Sequence, residues 1–420
     1  MKVIEGCDVK IFTDNVGENA IEQIKQLMSI DVFKDCKVRI MPDVHAGAGC
    51  VIGFTGNLGL KVIPNIVGVD IGCGILVQPF KCLKDIDFHV LNEFILKAIP
   101  SGRNNRDEDY LPLPNQYMDR YSEAKNLITQ LHCYRDLKYT KRLNISIGTL
   151  GGGNHFMEVG KDEMNQHYLL VHTGSRNLGK QVAEIYQNLA IKYHSGWGEL
   201  LEEQKRVVAQ CKEQGMERSE IKKIVGKLNA SFKMRKPLIP EPLSYLEGEW
   251  REDYLDDMRL CQRWAIINRR LIVDLIMDFL VQEGYAERLN DSFESVHNYI
   301  GDDNIIRKGA ISAYKGERCI IPMNMRDGSL ICEGKGNEDW NFSAPHGAGR
   351  IMSRSQAFKE INIDDFKQSM NGIYSETLTE ETKDEAPMVY KPMEEIVRNV
   401  VDTVEIVNVV KPIFNFKAAE

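Results

Sequence analysis

The chain is 420 residues long, with 43% hydrophobic and 27% charged residues and a formal net charge of −8. That length can bury a large core, as one mixed domain or two smaller ones, and the acidic balance excludes a uniformly basic surface, so a polyanionic partner would have to meet a local basic groove. The first residues lack a basic segment followed by an apolar stretch, and no apolar run is long enough to span a bilayer. A signal peptide, a membrane helix and a membrane partner are therefore not expected, and the cytoplasm is the expected compartment. The ten cysteines show no C-x-x-C spacing, which argues against a disulfide framework or a structural zinc site.

In chain order, Lys37 to Val77 alternates short apolar runs with glycines, as in V-R-I-M-P-D-V-H-A-G-A-G and V-G-V-D-I-G-C-G, and reads as sheet broken by tight turns. Helical spacing covers Ile86 to Ile99. Strand and glycine turn return over Leu143 to Val159, a buried strand follows at Tyr168 to Thr173, and a helix begins near Asn177. Trp197 to Lys236 and Glu249 to Glu283 have helical composition, the second with apolar residues every three or four positions. The span 197–283 is expected to be a helical insertion or layer, its charge runs a solvated face. Strands resume at Ser292 to Tyr299 and Glu317 to Met323. Ile351 to Phe358 reads as a helix, and Val400 to Val410 and Ile413 to Phe416 as two closing strands. With no internal repeat or linker, a single domain over 1–420 of α+β (mixed α/β) class is expected.

Five of the nine histidines, His45, His155, His172, His297 and His346, sit at strand ends beside Gly, Asn or Thr, where ligand or catalytic use is favoured. Asp70 and Cys73 lie three apart on a glycine turn, so a hard carboxylate and a soft thiolate can converge on one ion. By itself this pair reads more readily as a buried structural cysteine. With His155, His172 and His297 it makes five ligands from four strand ends, enough for two metals. In S-A-P-H-G-A-G-R, His346 reads either as a nucleophile in a glycine-flanked, arginine-lined anion pocket at a helix N-terminus, or as part of a plain turn. Ser175 or Asn177 could cap the helix after H-T-G-S-R, with Arg176 gripping a phosphate or lying on the surface. Asn154 reads as an amide beside a ligand or as a turn residue, and Asp43 and His45 admit a turn-capping reading.

Together M-P-D-V-H-A-G-A-G, V-G-V-D-I-G-C-G, G-G-G-N-H-F-M-E-V, V-H-T-G-S-R-N-L-G, I-R-K-G-A, H-G-A-G-R-I-M-S-R and D-E-A-P-M-V-Y-K resemble the RtcB family of RNA-splicing ligases, from about Met41 to Lys417. The resemblance implies a fold with a sheet-rich core around a two-metal site. It implies joining of RNA 2',3'-cyclic phosphate or 3'-phosphate ends to 5'-OH ends with GTP and two manganese ions, in tRNA splicing or RNA repair. By the same resemblance Asp70, Cys73 and His155 hold one Mn2+ and Cys73, His172 and His297 the other, and His346 is the guanylylated nucleophile. Asn154, Glu158, Ala348, Gly349, Tyr390 and Lys417 would contact the guanine nucleotide, Arg176 and Arg350 would grip phosphates, and Asp43 is a ligation-step candidate. Manganese rests on the resemblance, since thiolate and imidazole generally prefer zinc or copper.

The chain departs from the family where I-P-G-S-M-G becomes I-P-M-N-M-R-D-G-S, which puts Asn324, Arg326 and Ser329 at the nucleotide wall, and it ends K-A-A-E where Lys-Gly is common; both suggest a divergent branch. A short basic track of Arg176, Lys180, Arg350 and Arg354 is expected to hold the RNA ends. An archease-type accessory protein is a possible partner, and a monomer is expected. Two other readings stay open: a two-metal phosphoesterase acting on RNA terminal or cyclic phosphates without ligation, and a non-catalytic RNA-end-binding repair protein.

Overall fold

The computed structural model describes residues 2–3, 7–237 and 239–418, so Ala419 and Glu420 of the closing K-A-A-E lie outside the described residues. The architecture is mixed α and β, built on two large sheets. One has six strands in the order Lys2–Val3, Val9–Ile11, Val38–His45, Ile52–Gly56, Ile306–Lys308, Tyr299–Ile300. The other runs Ala286–Arg288, Gly74–Cys82, His167–Thr173, Phe156–Lys161, Val404–Lys417, Gly328–Gly334, Arg318–Asn324, with Phe293–Val296 also pairing with Gly74–Cys82. A two-stranded ribbon, Ala310–Ser312 with Ser343–Pro345, carries the chain to His346.

The central strands Gly74–Cys82 and His167–Thr173 are nearly all buried, as expected of strands covered on both faces. One cover is the 34-residue helix Glu249–Gln282. Its Ile272, Val273, Ile276, Met277 and Leu280 pack with Leu76, Phe80, Leu169 and Val171 of the sheet, while Tyr254, Met258 and Trp264 enter the neighbouring core with Val62, Ile66 and Ile71. This helix is therefore central to the molecule. Gly198–Glu213 and Arg218–Ser231, by contrast, form a hairpin in which only Gly198 and Cys211 are buried. The span 197–283 thus holds two elements of opposite character, told apart by the continuous apolar wrap of the second.

Several element boundaries differ from the sequence reading. Leu143 ends a short helix, Thr140–Asn144, and the strand begins only at Phe156, because the glycines between them form the loop that carries Asn154 and His155. Val400 closes the helix Met393–Val400, and the two expected closing strands are one, Val404–Lys417, with the proline absorbed by a register shift between Pro412 and Phe414. The helix expected from Ile351 begins at Arg354, where Ser353 accepts a hydrogen bond from the Gln356 amide. His346 therefore lies well before that helix, and the pocket beside it is not a helix N-terminus. Asp43 and His45 are not turn residues: both belong to the strand Val38–His45. No helix among the described residues is long and apolar enough to cross a membrane.

Candidate active site

The ligand turns are held from below by the long helix. Gly72, at φ +68°, sits where a side chain would meet the Gln262 backbone at 2.8 Å, so glycine lets the Asp70–Cys73 turn close on that helix. Arg269, fully buried, donates to the carbonyls of Gly72 and Thr173 at 2.8 Å each and pairs with Glu294 at 3.1 Å. These carbonyls flank Cys73 and His172. Asn268 accepts from the amides of Gly148 and Thr149 and donates to the Thr149 carbonyl, fixing the loop that leads to His155. Ser175 does not cap its helix; its hydroxyl donates to the Ile71 carbonyl at 2.6 Å and ties the Arg176–Lys192 helix to the Asp70 turn.

Cys73 Sγ lies 3.4 Å from His155 Nε2 and 3.3 Å from His172 Nε2, and Asp70 Oδ2 is 2.9 Å from His155 Nε2. Two ligand sets overlap at the thiol, Asp70 with Cys73 and His155, and Cys73 with His172 and His297, the donor atoms of each within 4.8 Å of one another. His155 Nδ1 donates to the Leu150 carbonyl at 2.9 Å and His172 Nδ1 to the Asn154 carbonyl at 3.1 Å. Carbonyls only accept, so both Nε2 lone pairs face Cys73. Burial, with neighbouring imidazoles adding to it, holds His172 and His297 well below the ordinary histidine range, in the neutral form a cation needs. Burial and Asp70 push the Cys73 thiol well up, a cost that a bound divalent ion reverses. Asp70 Oδ1 is buried with no hydrogen-bond partner among the described residues. The donor set and this orphan atom fit divalent cations, which Asp70, Cys73 and His155 on one side and Cys73, His172 and His297 on the other would hold.

His346 adjoins this cradle, its ring centroid 4.8 Å from that of His297. Asp43, fully buried, sets its orientation: one carboxylate oxygen, Oδ2, accepts from the His346 amide at 3.2 Å and from Nδ1 at 2.7 Å. A carboxylate accepts only, so Nδ1 carries the proton and Nε2 is left as the nucleophilic nitrogen. Gly349 has φ +78° and a side chain there would strike the Asp43 carbonyl at 2.3 Å, which is why the loop after His346 can lie on the strand that carries Asp43.

Asn154, Glu158, His346, Ala348, Gly349, Arg350, Tyr390 and Lys417 line one cavity with Asp70, Cys73, His172 and His297. Glu158 accepts from the Asn415 amide at 2.9 Å with one oxygen, and its Oε1 is buried with no hydrogen-bond partner among the described residues. Burial pushes Glu158 up to about 8, against the opposing pull of Asn415 and Lys417. Glu385, which sequence reasoning did not single out, anchors the cationic wall: it pairs with Lys417, Arg350 and Arg354 and accepts from the Tyr390 hydroxyl. Burial would raise its carboxyl, but Lys417, Arg354 and Arg350 outweigh that and lower it. Arg350 is also held by the carbonyls of Met352 and Asp384, so it offers fixed positive charge with few free donors. Asn415 was equally missed, although a lone amide amid I-F-N-F-K, in register with Glu158, is the signal that finds it.

Arg176 does not line this cavity, although it lies against Gly151 in the loop that carries His155. Its guanidinium donates to Thr149 Oγ1 and the Gly102 carbonyl and, with Lys180, lines a separate pocket containing Arg103 and Arg142. The expected track of Arg176, Lys180, Arg350 and Arg354 is therefore split between two pockets. Asn324 and Ser329 do line the same cavity as His346. Arg326 is not among its lining residues and pairs with Asp327 at 2.8 Å.

An oriented histidine beside a cradle of neutral imidazoles, a thiol and a carboxylate, with a fixed cationic wall, is the kind of arrangement that metal-assisted phosphate chemistry requires. Residues 23–418 match the family model described as "tRNA-splicing ligase RtcB", and the chain belongs to the RtcB family. It is 28% identical to the RNA-splicing ligase RtcB of Escherichia coli K12 over 96% of this chain and 95% of that protein. It is 26% identical to the tRNA-splicing ligase RtcB of Nanoarchaeum equitans over 86% and 83%, and 23% identical to that of Pyrobaculum aerophilum over 94% and 91%. At these identities it is a divergent member.

Proposed function

We propose that this RNA ligase joins RNA ends bearing a 3'-phosphate or 2',3'-cyclic phosphate to 5'-OH ends, using GTP and two Mn2+ ions, through a histidine-GMP intermediate. The observation that carries the reading is His346 with Nδ1 locked on Asp43 and its ring against His297. Nε2 attacks the α-phosphorus of GTP, the P–N bond forms, and pyrophosphate leaves. The cationic wall of Arg350, Arg354 and Lys417, fixed by Glu385, offsets the charge that develops. A 2',3'-cyclic end is first hydrolysed by water to the 3'-phosphate, breaking its P–O2' bond and leaving a 2'-OH; GMP then passes from His346 to the RNA 3'-phosphate, and the 5'-OH attacks that phosphorus and expels GMP. Bound at the two ligand sets, divalent ions would polarise phosphoryl oxygens and neutralise their charge.

Glu158 supports guanine over adenine. Its orphan Oε1 and its partner oxygen suit the N1–H and exocyclic amine of guanine, whereas adenine would set a ring acceptor against a carboxylate. Incubation with α-labelled GTP and Mn2+ tests the reading. An acid-labile protein adduct on the wild type that is absent from His346→Ala is expected, and an unlabelled wild type would overturn it.

A further inference from the structure

The helix Arg176–Lys192 leads away from the active site into a kink, where Ser195 and Gly196 leave helical geometry. From there the hairpin Gly198–Glu213 and Arg218–Ser231 departs, and its base is closed by the Arg235 amide donating to the Ser195 carbonyl at 3.1 Å. The two helices carry charge differently. On the first, Lys205 pairs with Glu202, Arg206 with Glu203, and Glu199 with Arg235. On the second and its extension, residues 218–236 hold seven basic side chains and one acidic one, all exposed. Arg218, Lys222, Lys223, Lys227, Lys233 and Lys236 have no ion-pair partner among the described residues. Ile221, Ile224, Val225 and Leu228 are half-buried and recur at helical spacing on one face, so the basic residues occupy the outer one. Burial does not require this helix to be basic, and in a chain of net charge −8 so dense a block of unpaired cations needs another reason.

We propose that this arm is a second RNA contact, gripping the phosphate backbone of the substrate away from the ends being joined; this rests on the ligase reading above. The 17-residue helix puts the kink roughly 25 Å from Arg176 at about 1.5 Å per residue. At about 3.4 Å per phosphate along a strand, that is on the order of seven phosphates beyond Arg176. The arm therefore serves longer RNAs and is out of reach of very short ones. It reads charge and not bases, so its contribution is sensitive to salt and indifferent to sequence.

The test compares wild type with Lys222→Glu/Lys223→Glu/Lys227→Glu and the matching Lys→Gln triple, each checked for native helicity by circular dichroism. Anisotropy binding is measured against 3'-phosphate RNAs of about 5 and about 30 nucleotides over a range of salt, with GTP labelling in parallel. Reversal is expected to weaken the long RNA about tenfold or more and to reduce its salt slope by roughly one per lost contact, with the Gln triple intermediate. Binding of the short RNA and GTP labelling are expected to stay unchanged. An unchanged affinity and salt slope for the long RNA would overturn the proposal, leaving a solvated face or a protein-docking arm, and so would equal losses for both lengths. Because binding is read without chemistry, a wild type that takes up no label would defeat the ligase reading while the arm is still judged by its RNA affinity.

Discussion

Asp43 and Glu158 are buried carboxylates that each leave one oxygen without a hydrogen-bond partner, yet the site uses them differently. Asp43 orients His346, the proposed nucleophile. Asp43→Asn can offer a donor where His346 needs an acceptor and so select the wrong tautomer; GTP labelling is expected to fall by about three to four orders of magnitude, the cost of amidating an orienting aspartate in another enzyme. Metal affinity and the unfolding midpoint should hold, and normal labelling by Asp43→Asn would remove the positioning role. Glu158 lines the cavity and is the proposed guanine contact. Burial first of all raises it to about 8, opposed by Asn415 and Lys417, so below that pH it is mostly protonated and must lose its proton to accept from guanine. GTP affinity is therefore expected to rise with pH up to about 8 and then level off, by at most about tenfold per unit for one proton. Titration calorimetry across pH 6 to 9 checks this, and Glu158→Gln should flatten the profile; a profile falling with pH would contradict the assignment.

At the scale of elements, the helix Glu249–Gln282 is the support on which the ligand turns rest. Arg269 carries a buried charge balanced by Glu294 and two carbonyls. Arg269→Met leaves those acceptors unmet, and denaturant unfolding should show a loss of about 3–5 kcal/mol. Manganese affinity of the folded variant should drop about 10- to 100-fold, as for other residues that orient ligands; an undiminished affinity would mean that Arg269 is structural only. This support was not legible in the sequence. A-I-I-N-R-R-L-I-V reads as an amphipathic helix whose polar pair faces water, and only the tertiary packing turns Asn268 and Arg269 inward. The strand-end histidines were legible because glycine turns between apolar runs leave few other places for them. The helix boundary at Arg354 was not, because Ile351 and Met352 continue an apolar pattern through a bend that precedes the helix.

For the whole molecule, the two sheets, the ribbon ending at His346 and the last strand bring residues from Asp43 to Lys417 around one cavity, so long-range closure makes the site. The blocks carried by the resemblance lie on strand ends and turns that converge there. What the motifs could not supply was which blocks share a wall: the resemblance set Arg176 with Arg350, and the two line different pockets. A site assembled from such distant segments links metal to global stability: Mn2+ at about a hundred times its Kd should stabilise the fold by about 2.7 kcal/mol. Thermal unfolding with and without chelator should show that gain in the wild type and lose it in Cys73→Ala. The most direct test of the ligase mechanism uses the isolated GMP-labelled protein, freed of GTP and mixed with a 3'-phosphate RNA, a 5'-OH RNA and Mn2+. One joined RNA and one released GMP per adduct are predicted; release of GMP with no joined RNA, or joining by His346→Ala, would contradict it.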